Sequence, residues 1–150
     1  MKEFKVRPHE SIGPARLGMT REDIRAALGI PSHIEAAHVK WGIRFPDKDC
    51  FYDNAFQVSY GGRMKAEFIE VSSRPDYTVT FDGVPVHGSP PETVVAAIRK
   101  HAEPDKADPE YPMNIFFPRL DLSLYREHSE EGRFDAISIS TREYGKQRTG

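Results

Sequence analysis

The chain has a single cysteine, Cys50, among its 150 residues. One thiol excludes an internal disulfide and cannot alone build a thiolate metal cluster, so Cys50 reads as a buried or half-buried thiol. No apolar run approaches the roughly 20 residues that a membrane-spanning helix needs. The opening MKEFKVRPHE has no apolar stretch of a secretory signal, and no lipid-anchor cysteine follows it. A reduced, cytoplasmic protein without membrane contact is therefore expected. A basic surplus is also missing: the net charge is −2. That argues against direct nucleic-acid binding, which requires a positive surface against phosphate. What acidity there is leans to the second half.

The motifs of the common chemistries are missing as well. The six histidines (9, 33, 38, 87, 101 and 128) form no H-x-x-x-H or H-E-x-x-H pair, the spacing that puts two imidazoles on one helix face for zinc. His33 and His38 stand five apart near a loop and read as surface or capping groups. Asp47, Asp49 and Asp53 are spaced closely enough for a hard cation, but the glycine and distal glutamate of a calcium loop are lacking. They read as a solvated turn. There is no G-x-S-x-G elbow and no glycine-rich phosphate cradle. Glu67 and Glu70 are a possible acid–base pair in a cleft, and strand-edge solubility accounts for them more simply. No active site, metal or cofactor is expected.

What the chain does have is one well-punctuated helix. Thr20 is a suitable N-cap, Glu22 and Asp23 place acid at the positive end of the helix dipole, and Asp23 stands at the capping-box position. Ile24, Ala27 and Leu28 form an i, i+3, i+4 stripe, and Gly29 then Pro31 end the helix over 20–28. A length of 150 residues with 38% apolar content and a mean hydropathy of −0.59 suits one compact domain with a modest core.

Strands follow. Trp41, Ile43 and Phe45 alternate with Gly42 and Arg44, and DKDC after Pro46 reads as a turn. Phe56, Val58 and Tyr60 alternate with Gln57 and Ser59. Gly61-Gly62 suits a tight hairpin turn leading to a strand over 66–72. The second half replays this order: a strand over 77–81, a turn at Asp82-Gly83, then GSPPETVVAAIRKH. There Ser89 is expected to cap, with Pro90 at the first helical position and Glu92 closing the capping box. Val94, Ala97 and Ile98 repeat Ile24, Ala27 and Leu28 at a shift of 70, and Gly88 repeats Gly18. Leu120, Leu122 and Leu124 alternate next. After the polar REHSEEGR, Phe134 to Ser140 closes the sheet. Looking for repeats first, the expectation is α+β: a tandem duplication of a helical segment plus an antiparallel hairpin unit, helices packed on one face of a curved sheet. Residues 1–75 and 76–142 are the two units of one compact domain, and 143–150 a flexible tail.

The stretch GPARLGMTREDIRAALGIP, through Gly18, Met19, Thr20, Leu28, Gly29 and Pro31, resembles the segment that opens the fold of small outer-membrane assembly lipoproteins and of the tandem β-lactamase inhibitor proteins. The second copy matches through Gly88, the apolar stripe and the cap. The resemblance implies a helical segment before a hairpin-rich antiparallel sheet and, in the tandem form, a curved sheet that grips a partner protein. With neither a lipid-anchor cysteine nor a disulfide framework, the implied relative is a cytoplasmic one that neutralises a toxin or enzyme, as bacterial immunity proteins do.

Parity then divides the sheet. If Trp41, Ile43, Phe45, Phe56, Val58, Ile69, Val71, Leu120, Leu122, Leu124, Ile137 and Ile139 face the helices, the other face carries Arg44, Gln57, Ser59, Phe68, Glu70, Asp121, Ser123, Tyr125, Phe134, Ser138 and Ser140. Aromatic anchors among Arg, acid and hydroxyl groups suit a protein-binding patch. The expected partner-binding residues are Arg44, Gln57, Phe68, Glu70, Asp121, Ser123, Tyr125 and Phe134. The expected function is a non-enzymatic inhibitor or immunity protein, monomer or homodimer when free, that occludes a toxin or enzyme with this face. The acidic loop from Glu103 to Glu110 suits a basic partner such as a nuclease. The alternative is a small ligand-binding domain or enzyme with its site between the two halves.

Overall fold

The computed structural model describes residues 2–45, 47–127 and 132–144, with the backbone alone for 43–45. The side chain of Arg44, the centre of the polar turn with His128, and the tail from 145 lie outside the described residues. In chain order come β1 (Lys2–Arg7), β2 (Ser11–Ile12), β3 (Ala15–Arg16), α1 (Arg21–Leu28), β4 (His33–Glu35), β5 (His38–Lys40), β6 (Ile43–Phe45), β7 (Asp47–Phe51), β8 (Phe56–Tyr60) and β9 (Ala66–Ser72). The second half adds β10 (Tyr77–Phe81), β11 (Val84–Pro85), α2 (Pro91–Arg99), β12 (Asn114–Phe117), a 3-10 turn at Pro118–Leu120, β13 (Leu122–Tyr125) and β14 (Ala136–Ser140). The fold is α+β and mostly sheet.

Seven strands form the larger sheet in the order β12-β13-β14-β9-β8-β7-β4, all paired antiparallel. Five form the smaller, β11-β10-β1-β2-β3. Register places Leu122, Ile139, Ile69 and Val58 in one row and Leu124, Ile137, Val71 and Phe56 in the next. Every one of these is buried, as a period of two demands of a face turned to a core. Phe4 of β1 meets them: its ring stacks on Tyr77 at 4.8 Å and lies edge-on to Phe56 at 5.7 Å. Ile24 and Leu28 of α1 and Val94, Ala97 and Ile98 of α2 enter the same cluster. Full burial of one such side chain contributes about 1.5–3 kcal/mol.

Local signals set α1 as expected. The Thr20 hydroxyl accepts from the Asp23 N–H at 3.2 Å, and Gly29, at φ 67°, closes the helix by donating to the Arg25 carbonyl. Elsewhere the structure departs from the sequence reading. The N-cap of α2 is Pro90, with no side-chain hydrogen bond, in place of Ser89. Ala27 is exposed, so α1 buries two of its three stripe residues. The β8–β9 turn spans 61–65, and its left-handed residue is Met64 (φ 58°) rather than either glycine of Gly61-Gly62. DKDC is no turn: it is strand β7, paired with β8 from Asp47 to Phe51. Leu120 lies in the 3-10 turn ahead of β13. β1 and β10 pair in parallel, Phe4 opposite Val79. The first strand of each half thus meets the other, a long-range closure that alternation within a hairpin cannot encode.

Candidate functional site

Trp41 is the largest departure from the expected inner face. It is 80% exposed, at the tip of a hairpin that belongs to neither large sheet. Lys40 pairs with Ile43, leaving Trp41-Gly42 as a two-residue loop with φ of 55° and 73°. Two successive positive φ values define the type I′ turn, which favours Asn, Asp or Gly at its first position. A bulky aromatic there is strained by about 1–2 kcal/mol. Val39 on the same arm and Ile34 of the edge strand β4 are 69% and 55% exposed, and the Lys40 ammonium sits 4.4 Å above the indole. At its base the Ala37 N–H donates to the Asp47 carboxylate at 2.8 Å. The arm presents an apolar tip that has no cover within the described chain.

Register brings together most of the residues expected on the second sheet face. Ser123, Ser138, Glu70 and Gln57 share one row across β13, β14, β9 and β8. Phe68 and Tyr125, two positions along their strands, point the same way. Tyr125 is 43% exposed, Phe68 stacks with Tyr144 at 4.9 Å, and Gln57 accepts from the Lys48 ammonium at 3.2 Å. Ser123 is buried, and its hydroxyl finds no partner among the described residues. Three expected members fall elsewhere. Phe134 precedes β14 and is 2% exposed, within the core cluster and under the Arg126 guanidinium at 5.0 Å. Asp121 is buried in a left-handed turn (φ 47°), with its carboxylate on His9 and Arg142. Arg44 belongs to β6 of the arm.

The acids of the 103–110 loop are engaged within the loop and with the ends of α2 and β12 that flank it. Asp105 and Asp108 each accept from a backbone N–H two residues on, Glu103 pairs with Arg99, and Glu110 accepts from Asn114. The two aspartate bonds are turn-forming.

Two clusters escaped the sequence reading. In the first, Asp49 of β7 lies on the apolar side of the sheet at 0% exposure. It is held by Arg25 through two 3.0 Å bonds and by the Tyr60 hydroxyl at 3.0 Å. Arg21, one turn before Arg25, approaches to 3.4 Å and lies over the Tyr60 ring at 4.5 Å. The hydrogen bond from Arg25 to Asp49 raises the guanidinium pKa further, and burial followed by the Asp49 charge pushes the Tyr60 phenol well up. Burial likewise raises the Cys50 thiol, which leaves it a poor nucleophile. The i, i+4 arginines were the available signal; the acid they meet looked like part of a turn. The second cluster is the His9–Asp121–Arg142 group, drawn from both halves of the chain. Among the described residues no set of three His, Cys, Asp or Glu is placed to hold a metal ion, and no described helix is long and apolar enough to cross a membrane.

Compared with protein-family models, with curated proteins and with solved structures, the chain matches none.

Proposed function

We propose that this chain is a non-enzymatic binding protein that docks on a protein partner, in the manner of a cytoplasmic inhibitor or immunity protein that occludes a toxin or enzyme. The observation that carries the reading is Trp41: an 80% exposed indole held at a strained turn on an arm outside both large sheets. Strain of that kind persists where something other than folding selects it, and Trp is among the side chains enriched at interface hot spots. The outer sheet face with Gln57, Phe68, Glu70 and Tyr125 is the second contact surface in this reading; Ser123 on the same face is buried.

We also read the chain as a duplication of α1-β8-β9 in α2-β13-β14. The strand order β13-β14-β9-β8 is mirrored about the antiparallel β14–β9 pair, which a two-fold axis normal to the sheet generates. The parallel β1–β10 pair is not generated by that axis, so the repeat leaves those strands out. Superposing the two units in an experimental structure checks it, since one rotation must carry helix and strands together.

The function is tested by pull-down from native lysate with tagged wild type, Trp41→Ala, and the double variant Phe68→Ala/Tyr125→Ala. One stoichiometric partner, released by the first variant, and whose activity the wild type titrates to zero near one to one, supports the reading. A partner lost only with the double variant moves the interface to the sheet face. No partner for the wild type under several growth conditions overturns the reading.

A further inference from the structure

Four segments drawn from both halves of the chain meet in one place. They are the β1–β2 turn with His9, the β3–α1 link with Leu17 and Gly18, the β12–β13 turn with Asp121, and the end of β14 with Thr141 and Arg142. Backbone bonds tie them in pairs and to β9: Leu17 N–H donates to Glu10 and Ser140 to Asp121, while Gly18 and Thr141 donate to Ala66 and Glu67 of β9. Between them lies an open cleft of about 450 Å³ lined by His9, Leu17, Gly18, Thr141 and Arg142. That is within the size range of small-molecule sites.

The charges in this cleft are layered. Asp121 is sunk behind the wall at 4% exposure, whereas His9 and Arg142 are 43% and 57% exposed. One buried oxygen, Asp121 Oδ2, holds both: His9 Nε2 at 3.1 Å and Arg142 Nε at 3.2 Å. An ionised carboxylate only accepts, so Nε2 donates to it; Nδ1 then donates to an oxyanion only in the doubly protonated ring, and in the neutral ring it is an acceptor. No hydrogen bond to Nδ1 is made among the described residues. Arg142 reaches Asp121 through Nε, the inner side of its fork, which leaves the fork's outer edge for a second oxyanion. Both His9 and Asp121 are held at positive φ (65° and 47°), so two strained turns bring this pair into register. At Gly18 an added Cβ would meet nothing within 4 Å, which leaves the backbone open to close approach.

We propose that this cleft binds a small molecule through a terminal oxyanion, a carboxylate or a phosphate. Arg142 holds the charged end, His9 in its doubly protonated form donates Nδ1–H to it, Asp121 orients both from behind, and Leu17 covers the apolar remainder. Thr141 Oγ1 accepts from the Tyr144 N–H at 3.3 Å, and its own O–H remains for the same end. The proposal is independent of the docking arm.

The test is an amide-resolved NMR titration of the full chain with sodium phosphate, sodium acetate and sodium chloride at matched ionic strength and pH. Saturable shifts at Leu17, Gly18, Thr141 and Arg142 with phosphate or acetate, and none with chloride, are expected. Saturation by phosphate alone identifies a phosphate site, and saturation by acetate a carboxylate site. Arg142→Gln weakens binding at least tenfold, and Arg142→Lys, which keeps the charge and loses the fork, weakens it less. Melting temperatures of both variants report whether the fold is kept. Shifts that never saturate, that spread over the surface, or that persist in a folded Arg142→Gln overturn the proposal.

Discussion

Arg25 grips Asp49 with both arms of its fork, Nε and Nη2 each 3.0 Å from a different carboxylate oxygen. This pair fastens α1 to a strand that the chain reaches two dozen residues later, and it does so on the apolar side of the sheet. A fully buried carboxylate tolerates that place only because two guanidinium groups and a phenol surround it. Asp49→Ala leaves the arginines facing an apolar wall, but Arg25 is 38% exposed and can turn to water. The expected loss is about 3 kcal/mol, the low end for a broken buried pair. Urea unfolding reads it as a lower midpoint at unchanged m-value; a loss under 1 kcal/mol would mean that the clamp is dispensable.

Tyr60 gives the same cluster an alkaline limit. Burial and the Asp49 charge raise the phenol above its ordinary value of 10.0. The unfolded chain therefore gives up this proton first as pH rises, and holds fewer protons than the folded one. Stability is complete below about pH 10 and declines as pH climbs toward the folded value. Tyr60→Phe should cost about 1 kcal/mol at neutral pH for the lost bond to Asp49 and flatten the alkaline decline. Tyr77, raised chiefly by burial, contributes a second such slope. An alkaline profile that Tyr60→Phe leaves unaltered would assign the whole effect elsewhere.

His87 sets the acid side. Burial lowers its pKa below the ordinary 6.5, against the opposing pull of the Val71 carbonyl, to which Nε2 donates at 3.2 Å, and of Asp135. A depressed histidine binds its proton more readily in the unfolded chain. Its contribution is therefore whole above about pH 6.5 and lost as pH falls through the folded value. His87→Gln keeps a donor for Val71 and removes the titration. Urea midpoints at about pH 7.5 and pH 5.5 should lie closer together in the variant than in the wild type; equal spacing would place the acid sensitivity on other groups.

Which of these features the sequence reveals follows from the range of the interaction behind each. Thr20 and Gly29 bound α1 through bonds spanning three or four residues, so the helix is legible without tertiary knowledge. The buried rows of β8, β9, β13 and β14 are legible because alternation has period two. The same parity puts Gln57, Phe68, Glu70, Ser123 and Tyr125 together, and it fails for Phe134 because β14 begins at Ala136. Asp49 is illegible because three of the four residues of DKDC are charged and its identity as a strand depends on pairing with β8. Asp121 is hidden for a similar reason, since its partners lie at positions 9 and 142. Trp41 was legible in principle: Gly42 beside it marks a turn, and the alternation with Ile43 and Phe45 masked that signal.

Gly13 carries a further prediction. Its φ is 56°, and a Cβ built there would lie 2.7 Å from the Phe4 ring, so the β2–β3 turn is pressed against the aromatic group that joins the two sheets. Gly13→Ala adds left-handed strain of about 1–2 kcal/mol and displaces Phe4 from its stack on Tyr77. A loss of about 2–4 kcal/mol is expected when overpacking is included, with changed near-UV circular dichroism from the Phe4–Tyr77 cluster. Stability within 0.5 kcal/mol of wild type, a margin typical of uncoupled surface positions, would mean that Phe4 has room to yield.

Trp41 separates folding from binding. At the first position of a type I′ turn Asn is favoured and Trp is strained, so Trp41→Asn turns the loop into the Asn-Gly pair that such hairpins prefer. Because the indole is 80% exposed, little packing is lost beyond its contact with Lys40, a cation–π interaction of about 0.5 kcal/mol at exposed sites. Folding should be unharmed or gain up to about 1 kcal/mol, the usual yield of correcting an unfavourable turn residue. Partner affinity should fall by about 2 kcal/mol or more, as for a central aromatic anchor. A residue that improves the fold when removed and abolishes binding is maintained for its contact with a partner. Thermal melts and a binding titration on the same preparation decide the matter: a large drop in melting temperature would make Trp41 structural, and undiminished affinity would remove the arm from the interface.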